Sequence, residues 1–482
     1  MEKINILSAA KWSILGEVLA KLIVPFTTMV LARILDLESF GVVTSIMFVI
    51  TLADDIINVA FQKIIVQAEV EKTEKIKDYA DVAFWSNFIL SIFLWLIIII
   101  FRHFITNFVK IEGKEVEIII AAMVLPLSSL STIQESLYIK KLDYKTLYYN
   151  RCISIAIPFL ITIPLAFFFK NHWALIIGNV VLVLVKALHL TRKSEWKPRL
   201  KYNLSILIKI RFLLLFNILD AVIHWISSWV DIIIVTRVFG LYYSALYKTS
   251  QTTVTSVISI ITSGITAILF SSLSYYKKDD KKFKEIFFNF QKGIAILTIP
   301  LGIGFLIYKE TLVMILLGEK WLEASNMIGI WGLVTCIVAT YGTFSKESYR
   351  AIGKPKVSFY VQTIHTFFVL VIIFFTYSYG YDRFVIFRSL AFLQILLVHN
   401  IYMKKLFNIK ILTMIKKNFY IIIASLFMGI LGVILKMFSS SIKMDLLGII
   451  LCSIFYFLIL FKKQEYKDIL LFFISKYKKR KE

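Results

Sequence analysis

Long apolar stretches alternate with short polar loops along almost the whole chain. Fourteen stretches are apolar enough, at roughly 20 residues each, to cross a bilayer as helices. They cover residues 12–31, 40–62, 81–100, 116–137, 152–169, 174–190, 212–235, 244–272, 287–307, 324–345, 357–377, 384–402, 418–435 and 444–461. The loops between them are too short to hold a soluble domain. The pattern therefore predicts an all-α polytopic membrane protein with about fourteen transmembrane helices.

Composition excludes an ordinary soluble enzyme. Of the 482 residues, 59% are hydrophobic and only 18% are charged, whereas soluble proteins average about 45–50% apolar and about 25% charged residues. The three cysteines, Cys152, Cys336 and Cys452, lie far apart within apolar runs. They suggest neither a disulfide framework nor a metal site. We expect no metal and no cofactor.

The net charge of +24 reflects membrane topology. If the N-terminus is cytoplasmic, 40 of the 55 lysines and arginines fall in cytoplasmic segments, 11 fall outside, and four lie within spans. Basic loops stay on the cytoplasmic side, so both termini are predicted to be cytoplasmic. The sequence predicts no folded domain with a basic face, so it does not indicate nucleic-acid binding. The first apolar stretch carries Glu17 and Lys21 and lacks a cleavage pattern, unlike a signal peptide.

A weak internal repeat predicts a duplicated architecture. At an offset of 204 residues, Arg33 aligns with Arg237 and Leu37 aligns with Leu241, each pair following a long apolar span. We therefore expect two six-helix lobes, 1–192 and 193–407, followed by helices 13 and 14 and a basic tail in 408–482. Transporters built from parallel repeats place their substrate between the lobes.

Charged residues inside the predicted spans are the main functional signal. Each costs about 2.5–3.5 kcal/mol at the centre of a membrane helix, so these side chains must line a wet cavity or pair with one another. In predicted helix 7, Asp220, His224 and Asp231 share one helical face. The charged residues in the first two helices of each predicted lobe are Glu17, Lys21, Asp54, Asp55, Asp220, Asp231 and Lys248.

Structural explanations compete at several of these positions. Glu17 and Lys21 are one turn apart and either neutralise each other or face the cavity. Asp54 either lines the cavity or reaches solvent near a helix end. Arg33 and Arg237 lie close to the outer interface, where they either bind substrate or extend into the headgroup region. A purely structural role does not readily explain why Asp220, Asp231 and Lys248 lie within membrane spans.

No catalytic constellation is present in the sequence. There is no Gly-rich phosphate loop, no His/Cys metal spacing and no serine nucleophile elbow. The adjacent pair Asp54 and Asp55 is the only arrangement that a membrane glycosyltransferase or polymerase could use. Such enzymes usually carry a large extracytoplasmic loop, and the longest outside segments here, 101–115 and 308–323, are about fifteen residues. We therefore expect a protein that is not an enzyme.

Several short motifs, in order, resemble polysaccharide (Wzx-type) flippases of the multidrug/oligosaccharidyl-lipid/polysaccharide exporter superfamily. They run from about residue 8 to 402, while residues 403–482 match only in hydropathy. The matching positions are Ala32-Arg33 with Phe40-Gly41, Trp196-Lys197-Pro198, the run Asp231 to Ala245, Leu273-Ser274, Pro300, Leu317-Gly318 with Trp321, and Ala351-Ile352-Gly353-Lys354-Pro355.

The resemblance implies a V-shaped, two-lobed transporter that works by alternating access. Its substrate would be a polyprenyl-diphosphate-linked oligosaccharide, such as an O-antigen, capsule or exopolysaccharide repeat unit, flipped from the inner to the outer leaflet of a bacterial plasma membrane. Its partners would be the bilayer, a polysaccharide polymerase and other assembly proteins.

Within this interpretation, two sets of side chains receive roles. Lys21 and Lys248 are the expected diphosphate contacts, with Arg33 and Arg237 as weaker candidates near the outer mouth. The ion-coupling or cavity residues are Glu17, Asp54, Asp55, Asp220, His224 and Asp231. The competing hypotheses are a cation-coupled multidrug exporter of the same superfamily, the membrane enzyme discussed above, and a non-transporting scaffold.

Overall fold

The computed structural model describes residues 6–67, 73–439 and 441–468. Helices account for the regular structure of these residues, with no strand among them. The chain divides into two compact units, residues 1–248 and 249–482. The predicted three-part division at 192 and 407 stays a prediction.

Twelve helices occupy the described residues of the first part of the chain, and α12 crosses the boundary between the units. Two π-helical turns, Asp55–Val59 and Pro158–Thr162, interrupt two of the spans. The helices are α1 (Ile6–Ile34), α2 (Leu37–Asp54), α3 (Ala60–Gln67), α4 (Thr73–Ile100), α5 (Arg102–Phe108), α6 (Glu115–Ala122), α7 (Val124–Lys140), α8 (Tyr144–Ile157), α9 (Ile163–Phe169), α10 (Trp173–Lys193), α11 (Leu204–Phe239) and α12 (Leu241–Tyr275).

Ten further helices form the rest of the second unit, with 3-10 turns at Glu319–Ala324 and Tyr377–Tyr379. They are α13 (Asp280–Ile307), α14 (Lys309–Leu316), α15 (Ser325–Tyr341), α16 (Thr343–Ala351), α17 (Lys356–Thr376), α18 (Tyr381–Ala391), α19 (Gln394–Phe407), α20 (Ile411–Lys417), α21 (Phe419–Met437) and α22 (Ile442–Leu460). Helix α13 packs against both α15 and α21, and α21 packs against α22.

The described residues contain eleven segments long and apolar enough to cross a membrane, or twelve if the bent helix α12 counts as one span. Each of the fourteen predicted stretches is helical, and twelve of them coincide with these segments. The remaining two, 12–31 and 212–235, lie within α1 and α11, which are not among the candidates. The all-α polytopic fold is confirmed, whereas the count of fourteen is not.

In the first unit, α11 packs against the middle of the span that is formed by α2, the π-helical turn at Asp55–Val59 and α3. Helix α11 contacts α2, the π-helical turn and α3, while α1 packs along α8 and α9. Helix α7 lies against α3, α4 and α10. Buried apolar side chains such as Ile46, Ile118 and Trp225 fill the space between α2, α6 and α11. This arrangement fixes the frame in which the charged residues are held.

The two helix starts related by the sequence repeat meet in the structure. Helix α2 begins at Leu37, where Asp36 caps it by accepting a hydrogen bond from the Ser39 amide at 2.9 Å. Helix α12 begins at Leu241, directly after Gly240, whose φ of +94° favours glycine. A Cβ atom on Gly41 would lie 2.3 Å from the Leu241 carbonyl oxygen. Only glycine at position 41 therefore permits this close approach of the two helices.

Candidate functional site

The sequence-predicted site residues all belong to the first unit, and α1 and α11 carry most of them. The π-helical turn that begins at Asp55 is central to their arrangement. Such turns insert an extra residue into a helix and occur frequently at functional sites. Here the turn begins at the second of two adjacent carboxylates, Asp54 and Asp55, whose surroundings differ.

Asp54 faces α7 through a network of hydrogen bonds. Its Oδ1 accepts from Asn58 Nδ2 at 2.6 Å and from Ser128 Oγ at 3.1 Å. The Asn58 side-chain oxygen in turn accepts from Thr132 Oγ1 at 2.6 Å and from Asn87 Nδ2 at 3.1 Å. Asn58 is therefore the hub of a buried polar network that joins three spans. Such networks are stabilising when their members are satisfied.

Asp55 lies in a different electrostatic setting. Besides Asp54, the charged or titratable groups that act on its carboxylate are His224 of α11 and Lys63 of α3. Lys63 itself forms an ion pair with Asp220, with Nζ and Oδ2 2.6 Å apart. The structure thus gathers Asp55, His224 and the Lys63–Asp220 pair around the contact between α3 and α11. Asp54 and Asp55 are therefore held by different neighbours, although the charge of Asp54 also acts on Asp55.

A second group of site residues surrounds Lys248 on α12. At 1.5 Å per residue, Lys248 lies about 10 Å along the helix from Leu241, where α12 begins. The Lys248 ammonium nitrogen lies 3.9 Å from the centre of the Trp229 ring. Among the described residues, no carboxylate forms a salt bridge with it. Phe48 lies 6.4 Å from Trp229 and 4.6 Å from Trp225, between ring centroids. We call these four residues, Phe48, Trp225, Trp229 and Lys248, the cation–aromatic cluster.

Trp225 connects the cation–aromatic cluster with the neighbourhood of Asp55. Its indole Nε1 donates to the carbonyl oxygen of Phe48 and to Thr51 Oγ1, both at 3.2 Å. Thr51 lies one helical turn before Asp55 on the same span. Trp225 therefore holds α11 against α2 between the residues around Asp55 and the rest of the cation–aromatic cluster.

Asp231 is buried, with 1% of its surface exposed. Its Oδ2 accepts a hydrogen bond from the Tyr247 hydroxyl at 2.8 Å, and its Oδ1 accepts from the Ile232 amide at 2.9 Å. Helical spacing predicts that this carboxylate lines a cavity together with Asp220, and that role stays a prediction. In the structure it lies between α11 and α12, where Tyr247 supplies a hydrogen-bond donor.

The remaining predicted residues lie elsewhere in the unit. Arg33 is exposed at the end of α1. Arg237 is exposed near the end of α11, donates to the Phe108 carbonyl oxygen at 3.1 Å and stacks over its ring at 4.9 Å. Lys21 is half-buried on α1, away from the α11–α12 contact that holds Lys248. The Glu17 side chain lies outside the described residues.

Three further side chains of the candidate site, Lys63, Tyr247 and Trp229, have no distinctive signal in the sequence. Lys63 follows a predicted span, Tyr247 is one aromatic residue among many, and Trp229 carries no charge. The signal that the sequence does offer is the pair Trp225 and Trp229, which are one helical turn apart on α11. The sequence does not show which residues of other helices these side chains contact.

Comparisons with known proteins agree with this architecture. A family described as polysaccharide biosynthesis proteins matches residues 30–326, which is more than half of the chain. The chain therefore belongs to this family of polysaccharide biosynthesis membrane proteins. The multi-pass membrane character predicted from hydropathy is confirmed, and so is the recognition of a polysaccharide-exporter relationship.

Individual relatives share this family relationship. An uncharacterised membrane protein from the cps region of Klebsiella pneumoniae is 26% identical over 324 residues, which is 66% of each chain. The succinoglycan biosynthesis transport protein ExoT of Rhizobium meliloti (strain 1021) is 20% identical over 349 residues, covering 72% of this chain and 70% of the relative. This chain thus spans about two thirds of the length of these relatives.

The fold is shared with a solved membrane transporter. The structure of the lipid II flippase MurJ in an inward closed conformation superposes with a TM-score of 0.77 at 14% identity, covering 95% of this chain and 99% of the other. At this identity the likeness establishes the fold alone.

Proposed function

We propose that this protein is a flippase for a polyprenyl-diphosphate-linked oligosaccharide, moving it from the inner to the outer leaflet by alternating access. Membership of the polysaccharide biosynthesis family supports the glycan part of the substrate. One relative is named as a succinoglycan biosynthesis transport protein. A second protein, which has the same fold, is named as a lipid II flippase. Substrate and direction of transport come to this chain as a proposal from those names.

The observation that carries the proposal is the membrane-embedded ammonium group of Lys248. An isolated ammonium ion in a span is costly, and the face of Trp229 recovers only about 2 kcal/mol of that cost when the pair is desolvated. The lysine still offers its donors to an anionic ligand. A diphosphate is doubly anionic, so it adds direct charge contacts to the electrostatic attraction that the Asp231 carboxylate already exerts on Lys248.

We assign Lys248 as the principal diphosphate contact. Lys21 serves as a second cation on α1. Arg33 and Arg237 act near the predicted outer ends of α1 and α11, where Arg237 is already engaged with Phe108. The rings of Trp225 and Trp229 offer apolar faces of the kind on which sugar rings stack, beside the headgroup that they accompany.

The carboxylates supply ion coupling in this proposal. Asp55 and His224 lie near the Lys63–Asp220 ion pair, so uptake of a proton or cation by Asp55 changes the charge that Lys63 experiences. Glu17, Asp54 and Asp231 belong to the same functional set, with Asp54 and Asp231 acting through their hydrogen-bonded neighbours. The flippase occupies the bacterial plasma membrane with both termini in the cytoplasm, as the asymmetry of basic loops favours.

Reconstitution of the purified full-length protein tests the proposal. Proteoliposomes carry a fluorescently labelled polyprenyl-diphosphate-linked oligosaccharide, and an external glycan-cleaving enzyme reports how fast labelled glycan becomes accessible. Lys248→Gln preserves side-chain length but removes the charge. Since a hydrogen bond to a charged group is worth about 1.5–3 kcal/mol, we expect flipping to slow by about 10- to 100-fold.

Lys209→Gln is the matched control, because Lys209 is an exposed lysine of α11 outside the cation–aromatic cluster. Its flipping rate should equal that of the unmodified protein. Equal rates for Lys248→Gln and Lys209→Gln, at equal amounts of folded protein, contradict the assigned anion contact. Efflux of cationic dyes without any glycan flipping would instead indicate the multidrug exporter.

Coupling is measured in the same vesicles under imposed proton or sodium gradients. Asp55→Asn removes the charge of the carboxylate while keeping its shape. We expect flipping by this variant to lose its dependence on the gradient and to retain a basal rate. An unchanged gradient dependence in Asp55→Asn assigns the coupling elsewhere.

A further inference from the structure

A cavity lined by both apolar and charged side chains lies in the first unit, at the end where its basic loops gather. Its volume is about 370 Å³, and its walls come from the beginning of α4, the end of α7 and the segment 194–196 that follows α10. This size falls within the range of small-molecule sites, about 300–1,000 Å³. None of the residues assigned to substrate or ion coupling lines it.

The end of α7 presents one polar face to this cavity. Gln134, Tyr138 and Lys141 follow one another at i, i+4 and i+7, which places them on the same side of the helix. Lys140 completes the wall and donates to the carbonyl oxygen of Ile65 at 3.1 Å.

Gln134 is the feature that singles the cavity out. Its side chain is fully buried, yet neither its amide nitrogen nor its amide oxygen has a hydrogen-bond partner among the described residues. Buried polar groups are nearly always satisfied, and each exception calls for an explanation such as an absent ligand. The amide offers both a donor and an acceptor, so the missing partner carries groups of both kinds.

The charge of the cavity wall favours an anion. Three lysines, Lys77, Lys140 and Lys141, face a single carboxylate, Glu195. Glu195 is committed to Lys141, with Oε2 2.7 Å from Nζ, and this hydrogen bond lowers the pKa of the glutamate. Of the lysines that line the cavity, Lys77 forms no salt bridge among the described residues, so its charge remains available to an anion.

A buried clamp holds the opposite wall. The Asp81 carboxylate accepts from the Trp196 indole at 3.2 Å and from Arg199 Nε at 2.7 Å. Ser194 Oγ donates to the Trp196 carbonyl oxygen at 2.8 Å. Trp196, which lines the cavity, is thus fixed from both sides, so the cavity is a built feature rather than a gap beside a loose loop.

We propose that this cavity binds a phosphate ester that bears free hydroxyl groups, of the glycerol phosphate type. Lys77 offers its positive charge to the phosphate, the Gln134 amide nitrogen donates to a phosphate oxygen, and the Gln134 oxygen accepts from a ligand hydroxyl. The same chemistry is presented by an anionic lipid headgroup and by a soluble phosphate ester. The site is independent of the proposed flippase activity, because it shares no assigned residue with it.

Binding is tested on the full-length protein in nanodiscs of zwitterionic phosphatidylcholine. In one arm glycerol 3-phosphate is titrated, and in the other the nanodiscs contain increasing phosphatidylglycerol. The midpoint of thermal unfolding reports binding in both arms. We expect a saturable rise in the midpoint, with an apparent Kd on the order of 0.1–1 mM for the soluble ester.

Two variants and a control separate binding from a structural role. Lys77→Gln should weaken the response about tenfold, whereas Lys145→Gln, an exposed lysine of the same basic region outside the cavity, should leave it unchanged. Gln134→Leu should abolish the response but raise the midpoint without ligand, because it removes an unpaired buried amide. If Gln134 had only a structural role, Gln134→Leu would lower both the response to ligand and the unfolding midpoint without ligand.

Each outcome decides between the sources or against the site. A response to glycerol 3-phosphate identifies a soluble ester, and a response confined to phosphatidylglycerol identifies a lipid headgroup. The proposal is overturned if neither probe gives a saturable response, or if Lys77→Gln and Lys145→Gln respond alike.

Discussion

Replacing Gly41 with alanine tests the closest approach between two helices in the first unit. The added Cβ would lie 2.3 Å from the Leu241 carbonyl oxygen and 2.8 Å from its carbonyl carbon. Both are backbone atoms at the beginning of α12, and Gly240, with its positive φ, fixes the chain just before them. No side-chain rotation can relieve the contact, so the helices themselves must separate by about 1 Å to restore ordinary contact distances.

Overpacking in a well-packed interior costs about 1–3 kcal/mol. We expect the upper end of this range, about 3 kcal/mol, because the obstacle is backbone and because α2 is also held at its cap by Asp36. A loss of that size lowers the folded-to-unfolded ratio about 150-fold and the midpoint of thermal unfolding by several degrees.

The measurement is thermal unfolding of the purified protein in detergent, followed by intrinsic fluorescence. Gly304→Ala is the matched control, since Gly304 also lies within a helix but a Cβ there would meet nothing within 4 Å. Alanine is the better helix former by about 0.5–1 kcal/mol, so this variant should be neutral or stabilised. Equal midpoints for Gly41→Ala and Gly304→Ala would refute the packing argument.

Three further substitutions probe buried polar contacts, each measured by thermal unfolding. Asp81→Asn should cost about 1–2 kcal/mol, because Arg199 loses its charged acceptor but stays partly solvated; faster proteolysis around residues 194–203 should accompany the loss. Asn58→Leu should cost about 2 kcal/mol, since its network loses the hub; an unchanged midpoint contradicts that role. Lys436→Met should cost about 3–5 kcal/mol by leaving the buried Asp445 unpaired, and a second change of Asp445 to Leu should recover most of the loss.

The positions of the helices were largely predictable from the sequence. A bilayer demands about 20 apolar residues per span and backbone groups bonded within the span, so hydropathy alone located helical segments at all fourteen predicted stretches. At an offset of 204 residues the sequence aligns Leu37 with Leu241, and α2 and α12 begin at these two residues. The count of fourteen spans is not confirmed, because α1 and α11 are not among the segments identified as candidate spans.

The candidate site was predictable in composition but not in pairing. Hydropathy and helical spacing identified Asp55, Asp220, Asp231 and Lys248 as side chains that need an explanation. They could not show that Asp231 is closed off by Tyr247 on the next helix. Helical periodicity reports which residues share a face of one helix, and carries no information about which other helix that face meets.

The sequence by itself determined the membrane-spanning character, the predicted orientation and the family of this protein, because these depend on local hydropathy, loop charge and ordered motifs. Only the tertiary structure decided which charges find partners. It joined Lys63 to Asp220 and placed Lys248 on Trp229. It also left the Gln134 amide without a hydrogen-bond partner among the described residues, in a cavity lined by lysines. The physical reason is that pairing depends on distances of a few ångströms between residues far apart in the chain, which are set by how whole helices pack.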